Sequence, residues 1–280
     1  MRNDLALANS AYWSELCGSR AAHSLGLVAG DPAGVQKFDE WFFSFYPYLA
    51  NDQFIEWEKL RHQQVLEIGL GYGSVTRRLA TIGAQVTAVD LAPGAVAFAQ
   101  ATGNSISPIR ASALQLPFVN DSLDCVISIG CLHHTGDLAV SLRECFRVVR
   151  PGGTLIVMVY NRYSYKRWIV APIATFKARV AERQGRPSIT GLSAPRRVSW
   201  FWDRNPNGAA PPHTEFASKM QLQSLLSDAK NVDITTINVD DFSSLFSRLF
   251  RGNFAGLRLR LLSSWLSRRL GLDLYVTVVK

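Results

Sequence analysis

The chain has 280 residues, 48% hydrophobic and 19% charged, and Phe, Tyr and Trp together supply 30 side chains. That composition excludes a disordered chain and is enough for a sizeable buried core. No apolar run reaches the roughly 18 residues needed to cross a bilayer. The opening MRNDLALANSAYW lacks the apolar stretch and cleavage site of a secretion signal, so a cytoplasmic location is expected. The net charge of +8 is uneven: residues 1–149 sum to −4 and residues 150–280 to +12. A basic half either attracts nucleic acid, anionic lipid or an acidic substrate, or is simply a solvated face. Cys17, Cys125, Cys131 and Cys145 show no CxxC spacing and read as small buried hydrophobes rather than metal ligands.

Residues 1–60 read as a helical cap, with nine aromatic residues between Phe38 and Trp57. From residue 61 the pattern changes to short apolar runs alternating with helical stretches. VLEI (65–68), VTAVD (86–90), a weak ISPIR (106–110), DCVISI (124–129) and TLIVMVY (154–160) read as strands. Near-continuous apolar runs suit strands covered on both faces, as in a parallel sheet. Ser74 is placed to cap a helix ending near Gly83. Pro93 suits the first turn of the next helix, and Gly103 its end. Asp137 is placed to cap a third, with Leu138, Leu142, Cys145 and Val149 on one face. Pro151-Gly152-Gly153 reads as a turn before the fifth strand. Residues 161–213 break the rhythm as an insertion. From 214 it resumes, with a helix over about 216–230 and strands at 232–239 and 272–280. Between these strands lies a basic segment, 242–270, with six Arg and no acidic residue. The βαβ alternation predicts a doubly wound, Rossmann-like α/β sheet.

The chemistry concentrates in VLEIGLGYGS, residues 65–74. A buried strand ends at Glu67-Ile68, and Gly69, Gly71 and Gly73 turn the chain into a helix. Such glycines let a ligand approach the backbone. Asp90 ends the next strand 19 residues after Gly71, where a carboxylate can accept hydrogen bonds from both ribose hydroxyls of an adenosine. Two features favour S-adenosylmethionine over a dinucleotide. The spacing is GxGxG, with Ser74 at the third position of a GxGxxG reading. Glu67 also places negative charge where a pyrophosphate would be repelled and an ammonium and sulfonium favoured.

With VTAVDLAPGAVAFA, ASALQLPFVNDSLDCVISIGCLHHTGD and LRECFRVVRPGGTLIVMVYN, this stretch resembles the successive motifs of class I methyltransferases. The resemblance is to the broad group that includes the ubiquinone- and menaquinone-biosynthesis enzymes, and it covers about residues 62–160. It implies S-adenosylmethionine as cofactor and a seven-stranded, mostly parallel sheet closed by 232–239 and an antiparallel 272–280. It implies that Glu67, Gly69 and Gly71 bind the methionine end, with Gly73 shaping the loop. Asp90 would hold the ribose and Leu91 pack on adenine. Ser112-Ala113 stands where the family often has Asp-Ala, and Ile129 and Gly130 lie under the cofactor.

His133 and His134 follow at the carboxyl edge of the sheet, where α/β folds bind ligands. Either could act as general base or orient an acceptor, or both could be packing residues. Tyr160 and Asn161 emerge at the same edge as possible acceptor contacts. Trp41, Phe42, Phe45 and Tyr46 either line an apolar acceptor pocket or form the core of the cap. Tyr12 and Trp13 are placed to close over the cofactor. The segment 242–270 fits a surface helix with a buried stripe, or less readily an anionic membrane surface. The expected activity is methyl transfer to oxygen, carbon or nitrogen of a small apolar or aromatic acceptor, without nucleic acid or metal. The competing readings are a nucleic-acid or protein methyltransferase, a nicotinamide-dependent oxidoreductase, and a non-catalytic cofactor-binding module. The first of these gains from the basic half but lacks the Asn/Asp-Pro-Pro-aromatic motif of amino-methylating enzymes; the second is disfavoured by the glycine spacing.

Overall fold

A computed structural model of the chain describes residues 2–15, 19–102, 108–186, 193–205, 207–240 and 256–280. Cys17, Gly103, residues 106–107 of the expected third strand and residues 242–255 of the basic segment lie outside the described residues.

The chain opens with four helices: α1 (Arg2–Trp13), α2 (Ser19–Ser24), α3 (Pro32–Phe45) and α4 (Pro47–Ala50). Asp31 starts α3 by accepting from the amides of Ala33 and Gly34, with Pro32 in the first turn. Then β1 (Gln64–Ile68), β2 (Gln85–Asp90), β3 (Pro108–Arg110), β4 (Leu123–Ile129) and β5 (Val149–Tyr160) alternate with α5 (Ser74–Thr81), α6 (Pro93–Ala101) and α7 (Leu138–Val148). The insertion carries α8 (Tyr165–Val170), α9 (Pro172–Arg183) and α10 (Arg196–Ser199). The fold closes with α11 (Lys219–Leu225), β6 (Asn231–Ile237), α12 (Leu257–Leu262), α13 (Trp265–Leu270) and β7 (Asp273–Val279).

The seven strands form one sheet in the order β3-β2-β1-β4-β5-β7-β6. Pairs among β1 to β5 are parallel, and β7 runs antiparallel to both β5 and β6. The expected architecture is therefore the observed one. The order reverses at β1, so β1 and β4 diverge in their connections and open a crevice at their carboxyl ends.

Alternation along each strand feeds two cores. Leu66, Ile68, Val126, Leu155, Val157 and Val276 pack under α7 and α11 on one face. Val65, Cys125, Ile127, Ile156, Met158 and Tyr275 face Tyr48, Leu49, Phe54 and Trp57 of the N-terminal block on the other. The aromatic block thus covers one face of the sheet, and Phe54 stacks on Tyr275 with ring centres 4.2 Å apart.

Local details differ from the sequence expectations for identifiable reasons. Ser74 does not cap α5; Gly73, at φ 78°, is the cap residue and Ser74 the first helical residue. Pro151-Gly152-Gly153 is no separating turn, because the ladder of β5 begins at Val149. The register then skips from Leu123↔Val149 to Cys125↔Thr154, and Pro151 to Gly153 form the bulge between. The helix expected over 216–230 is shorter, because Ser218 accepts from the amide of Gln221 and starts it. The capping role expected of Asp137 is seen directly, its Oδ1 accepting from Val140 N at 3.0 Å. Val149, expected on that helix, instead begins β5.

Candidate functional site

A cavity of about 520 Å³ lies over the carboxyl ends of β1, β2 and β4 and runs under the N-terminal cap. Its first half is built by the glycine loop. Gly69, at φ 86°, turns the chain so tightly that a Cβ there would fall 2.3 Å from Cys131 Cβ. Gly71, at φ 52°, has no atom within 4 Å of where its Cβ would stand, so its backbone faces open space. The loop is held from behind by Arg77. Its guanidinium donates to Tyr72 O at 2.6 Å and pairs with Asp39 of α3, stapling cap to loop.

Two carboxyls face this half. Glu67 is 4% exposed and accepts from Thr76 Oγ1. Burial pushes its carboxyl up to about 8, against the Thr76 hydrogen bond and the Arg77 charge, with Asp90 adding to the rise. Asp90 accepts from Ala92 N at 2.8 Å and Gly71 N at 3.4 Å. Burial raises its carboxyl above the ordinary range, while those amides oppose the rise. Leu91, Ser112, Ala113, Ile129 and Gly130 line the same half. The Ser112 hydroxyl accepts from Leu114 N at 3.2 Å, so it also shapes its own turn.

The second half is aromatic. Trp41, Phe42, Phe45 and Tyr46 of the cap line it, together with Trp13 of α1, Tyr160 of β5 and Trp202 of the insertion. Trp41 and Phe45 stack at 5.5 Å. Tyr12 does not line the cavity; its hydroxyl donates to Ala209 O, tying α1 to the insertion. His134 lines the cavity and is 5% exposed. Its Nδ1 lies 2.8 Å from His213 O. A carbonyl only accepts, so Nδ1 carries a proton. Nε2 lies 3.5 Å from Asp203 Oδ2, too far for a well-formed hydrogen bond but within ion-pair range. Tyr160 donates its hydroxyl proton to the same carboxylate, 2.9 Å from Oδ2.

Two expected site residues are placed elsewhere. His133 does not line the cavity; its fully buried ring is sandwiched between His134 and Tyr160. Burial, with His134 and His213 adding, holds it well below the usual imidazole range, so it is a neutral packing group. Asn161 also lies outside the cavity. Its amide donates to Gly271 O at 2.8 Å and its Oδ1 accepts from Tyr163 N, joining the end of β5 to the start of β7.

Sequence reasoning missed Trp202, Asp203, Lys166, Asp240 and Asp273, which all line the second half. The available signal was WFWDR at 200–204, an acid among aromatics inside the insertion at 161–213. Lys166 pairs with Asp240 at 3.0 Å. Burial pushes Asp273 up to about 7, against a hydrogen bond from Asn238, with Asp203 adding to the rise. The basic segment also contributes inward: Arg258 is 7% exposed and donates to Val239 O, Asn238 Oδ1 and the Phe45 carbonyl of the cap. That arginine is a structural clamp, not part of a solvated basic face.

Residues 66–157 match the Methyltransferase domain family. That stretch is similar to the cofactor-binding core of class I S-adenosylmethionine-dependent methyltransferases. A demethylmenaquinone methyltransferase of Tropheryma whipplei is 33% identical over 112 residues, 39% of this chain and 46% of that protein. The chain therefore spans less than half of that relative's length. A probable S-adenosylmethionine-dependent methyltransferase of Mycolicibacterium smegmatis is 25% identical over 214 residues, 70% of this chain and 83% of that one. An S-adenosylmethionine-dependent methyltransferase structure from Mesorhizobium loti superposes with a TM-score of 0.51 at 19% identity, covering 79% of this chain and 92% of that one, and shows the shared fold. The glycine-loop half suits S-adenosylmethionine on its own geometry. Gly71 leaves room against the backbone, Glu67 is a buried carboxyl without a charged partner in hydrogen-bond contact, and Asp90 ends β2 beside the loop.

Proposed function

We propose that the chain transfers a methyl group from S-adenosylmethionine to a small acceptor with a flat or apolar body. The carrying observation is one continuous cavity with two chemically different halves, an acidic glycine-loop half and an aromatic half that meet beside His134. Glu67 suits the cofactor's ammonium and Asp90 its ribose; Gly71 admits its backbone-facing edge. When bound, the cofactor supplies an electrophilic methyl on a sulfonium. The protein's task is then to align the acceptor and exclude water. Trp41, Phe45, Tyr46 and Trp202 do this by enclosing the second half, and α1 covers it through Trp13. The resemblance to a menaquinone-pathway enzyme supports an apolar small-molecule acceptor over a macromolecule, as does the depth at which Asp203 and His134 lie.

The test separates the two halves. Asp90→Ala should lower S-adenosylhomocysteine affinity at least tenfold, because charged hydrogen bonds of this kind are worth roughly 1.5–3 kcal/mol each. Trp41→Ala and Phe45→Ala should leave that affinity nearly unchanged and weaken acceptor binding. If both aromatic variants lose cofactor affinity as strongly as Asp90→Ala, the division into two subsites is wrong.

A further inference from the structure

The insertion after β5 carries an apolar ridge that no described residue covers. Ile169, near the end of α8, is 75% exposed, and Ile173 and Phe176 on α9 are 71% and 60% exposed. Apolar side chains exposed one at a time are ordinary, but these three follow one another along a single ridge. At about 100° per residue, Ile173, Phe176 and the half-buried Val180 fall within about 60° of arc, with Lys177 and Arg183 on either side. Lys177 and Arg183 are both exposed.

The opposite face of α9 is anchored, which fixes the ridge outward. Thr175 is fully buried and donates to the Arg167 and Ala171 carbonyls, and Glu182 accepts from Ser218. Arg179, on the flank, lies 5.0 Å from the ring centre of Tyr163. The helix therefore turns its hydroxyl and its carboxylate inward and its largest apolar groups to solvent, the reverse of an ordinary surface helix. The charge beside the ridge has one sign. Residues 161–186 hold seven basic side chains and one acidic, a net of +6, and that one acid is Glu182 on the anchored face.

We propose that α8 and α9 dock on an anionic lipid surface, with Ile169, Ile173 and Phe176 in the boundary between headgroups and acyl chains and Lys177, Arg183 and Arg186 among the lipid phosphates. Helices that lie on membranes combine these two features, an apolar face that enters the boundary and cations along its margins. A convex ridge needs no shaped groove in its partner, and a fluid bilayer has none. Nucleic acid fits poorly, because Ile169 and Ile173 offer nothing to a phosphate and cannot stack on a base. A second copy laid ridge to ridge would set Lys177, Arg183 and Arg186 against their own counterparts, like charge against like.

The ridge adjoins the cavity. Lys166, on the same helix as Ile169, lines the aromatic half and lies 5.1 Å from the ring centre of Trp202. Docking therefore sets the aromatic half beside the bilayer, the phase in which an acceptor with an apolar body concentrates. That consequence rests on the function proposed above; the docking itself does not.

The experiment sediments the full chain with vesicles of mixed phosphatidylglycerol and phosphatidylcholine, or of phosphatidylcholine alone. Wild type should bind the anionic vesicles at least about tenfold more tightly than the neutral ones, and less tightly as salt is raised. Ile173→Ser combined with Phe176→Ser should weaken that binding at least about tenfold, through apolar surface no longer buried. Lys177→Gln combined with Arg183→Gln should weaken it about 25-fold, at about fivefold for each cation near an anionic surface. Both double variants should keep the wild-type melting temperature and S-adenosylhomocysteine affinity, since these side chains are exposed and do not line the cavity. Wild type left in the supernatant of anionic vesicles overturns the proposal, as does either double variant binding like wild type. An apolar variant that melts several degrees lower, or that breaks a wild-type dimer, also overturns it, because the ridge is then packed against protein. Wild type that binds vesicles but not S-adenosylhomocysteine overturns the methyltransferase reading and leaves the lipid surface standing.

Discussion

Glu67→Gln offers a direct measurement of what the buried carboxyl does. Burial pushes the group up to about 8 in the free protein. At pH 7 it is about nine-tenths protonated. An ammonium arriving beside it favours the ionised form, so binding at pH 7 should release about 0.9 proton per site. Affinity should then rise about 50-fold from pH 6 to pH 8 and level off above, provided the bound carboxyl titrates below 6. Glutamine keeps the size and can still accept from Thr76 but cannot ionise. The ratio of wild-type to Glu67→Gln affinity cancels the ligand's own titrations and should carry the whole pH dependence. Stability should move the opposite way. A carboxyl raised in the folded state contributes stability fully present below its unfolded value of about 4.5 and lost as pH climbs through 8, by about 4 kcal/mol at pH 8. The ligand-free Glu67→Gln protein should therefore melt higher than wild type at pH 8, with little difference at pH 4.5. Calorimetry in buffers of different ionisation enthalpy counts the protons, and thermal melts at the two pH values read the stability. No proton release, together with a lower melting temperature for Glu67→Gln at pH 8, would refute the reasoning.

Other outcomes follow from the geometry. Gly69→Ala must place its Cβ against Cys131 and should lower the melting temperature sharply. Gly71→Ala meets no atom, so it should cost only the roughly 1–2 kcal/mol of a left-handed non-glycine residue yet weaken cofactor binding by intruding on the cavity; melts and calorimetry on both variants separate these effects. Arg258→Ala leaves the Phe45 and Val239 carbonyls and Asn238 Oδ1 without their donor. At about 1–3 kcal/mol for each unsatisfied buried group, it should destabilise the cap by several kcal/mol in urea denaturation. Trp41→Ala and Phe45→Ala truncate half-buried cavity walls, so each should cost less than the roughly 3–5 kcal/mol of a fully buried aromatic, as a melting curve would show.

The sheet was legible because its physics is local. Apolar runs covered on both faces, glycines at a tight turn and an acid ending β2 all leave marks within a few residues of one another. The cofactor half inherits that legibility, since Glu67, Gly69, Gly71 and Asp90 sit on those same turns. The acceptor half does not. Asp203 reaches His134 only because the insertion folds back over the edge of β5, and nothing near residue 203 specifies that path. His133 and His134 are neighbours with the same chemistry, yet only His134 lines the cavity. The difference arises from the turn at Leu132–His134 and from contacts with Tyr160 and His213, far away in sequence. Asn161 looked like an acceptor contact because it ends a strand on the right edge. Its amide is instead consumed by the crossover to β7, a demand visible only once the antiparallel pairing is known.

The contact between Phe54 and Tyr275 joins residues 221 positions apart, and Arg258 reaches back to the Phe45 carbonyl. During synthesis the aromatic block therefore leaves the ribosome long before the strand and arginine that cover it exist. Until then its rings are sticky surface looking for any partner, the condition under which nascent chains aggregate. Distant pairings of this sort also slow folding. The same stacking makes the last strand a checkpoint: a chain stalled before β7 keeps its aromatic block uncovered and should be a ready client for chaperones that bind exposed rings.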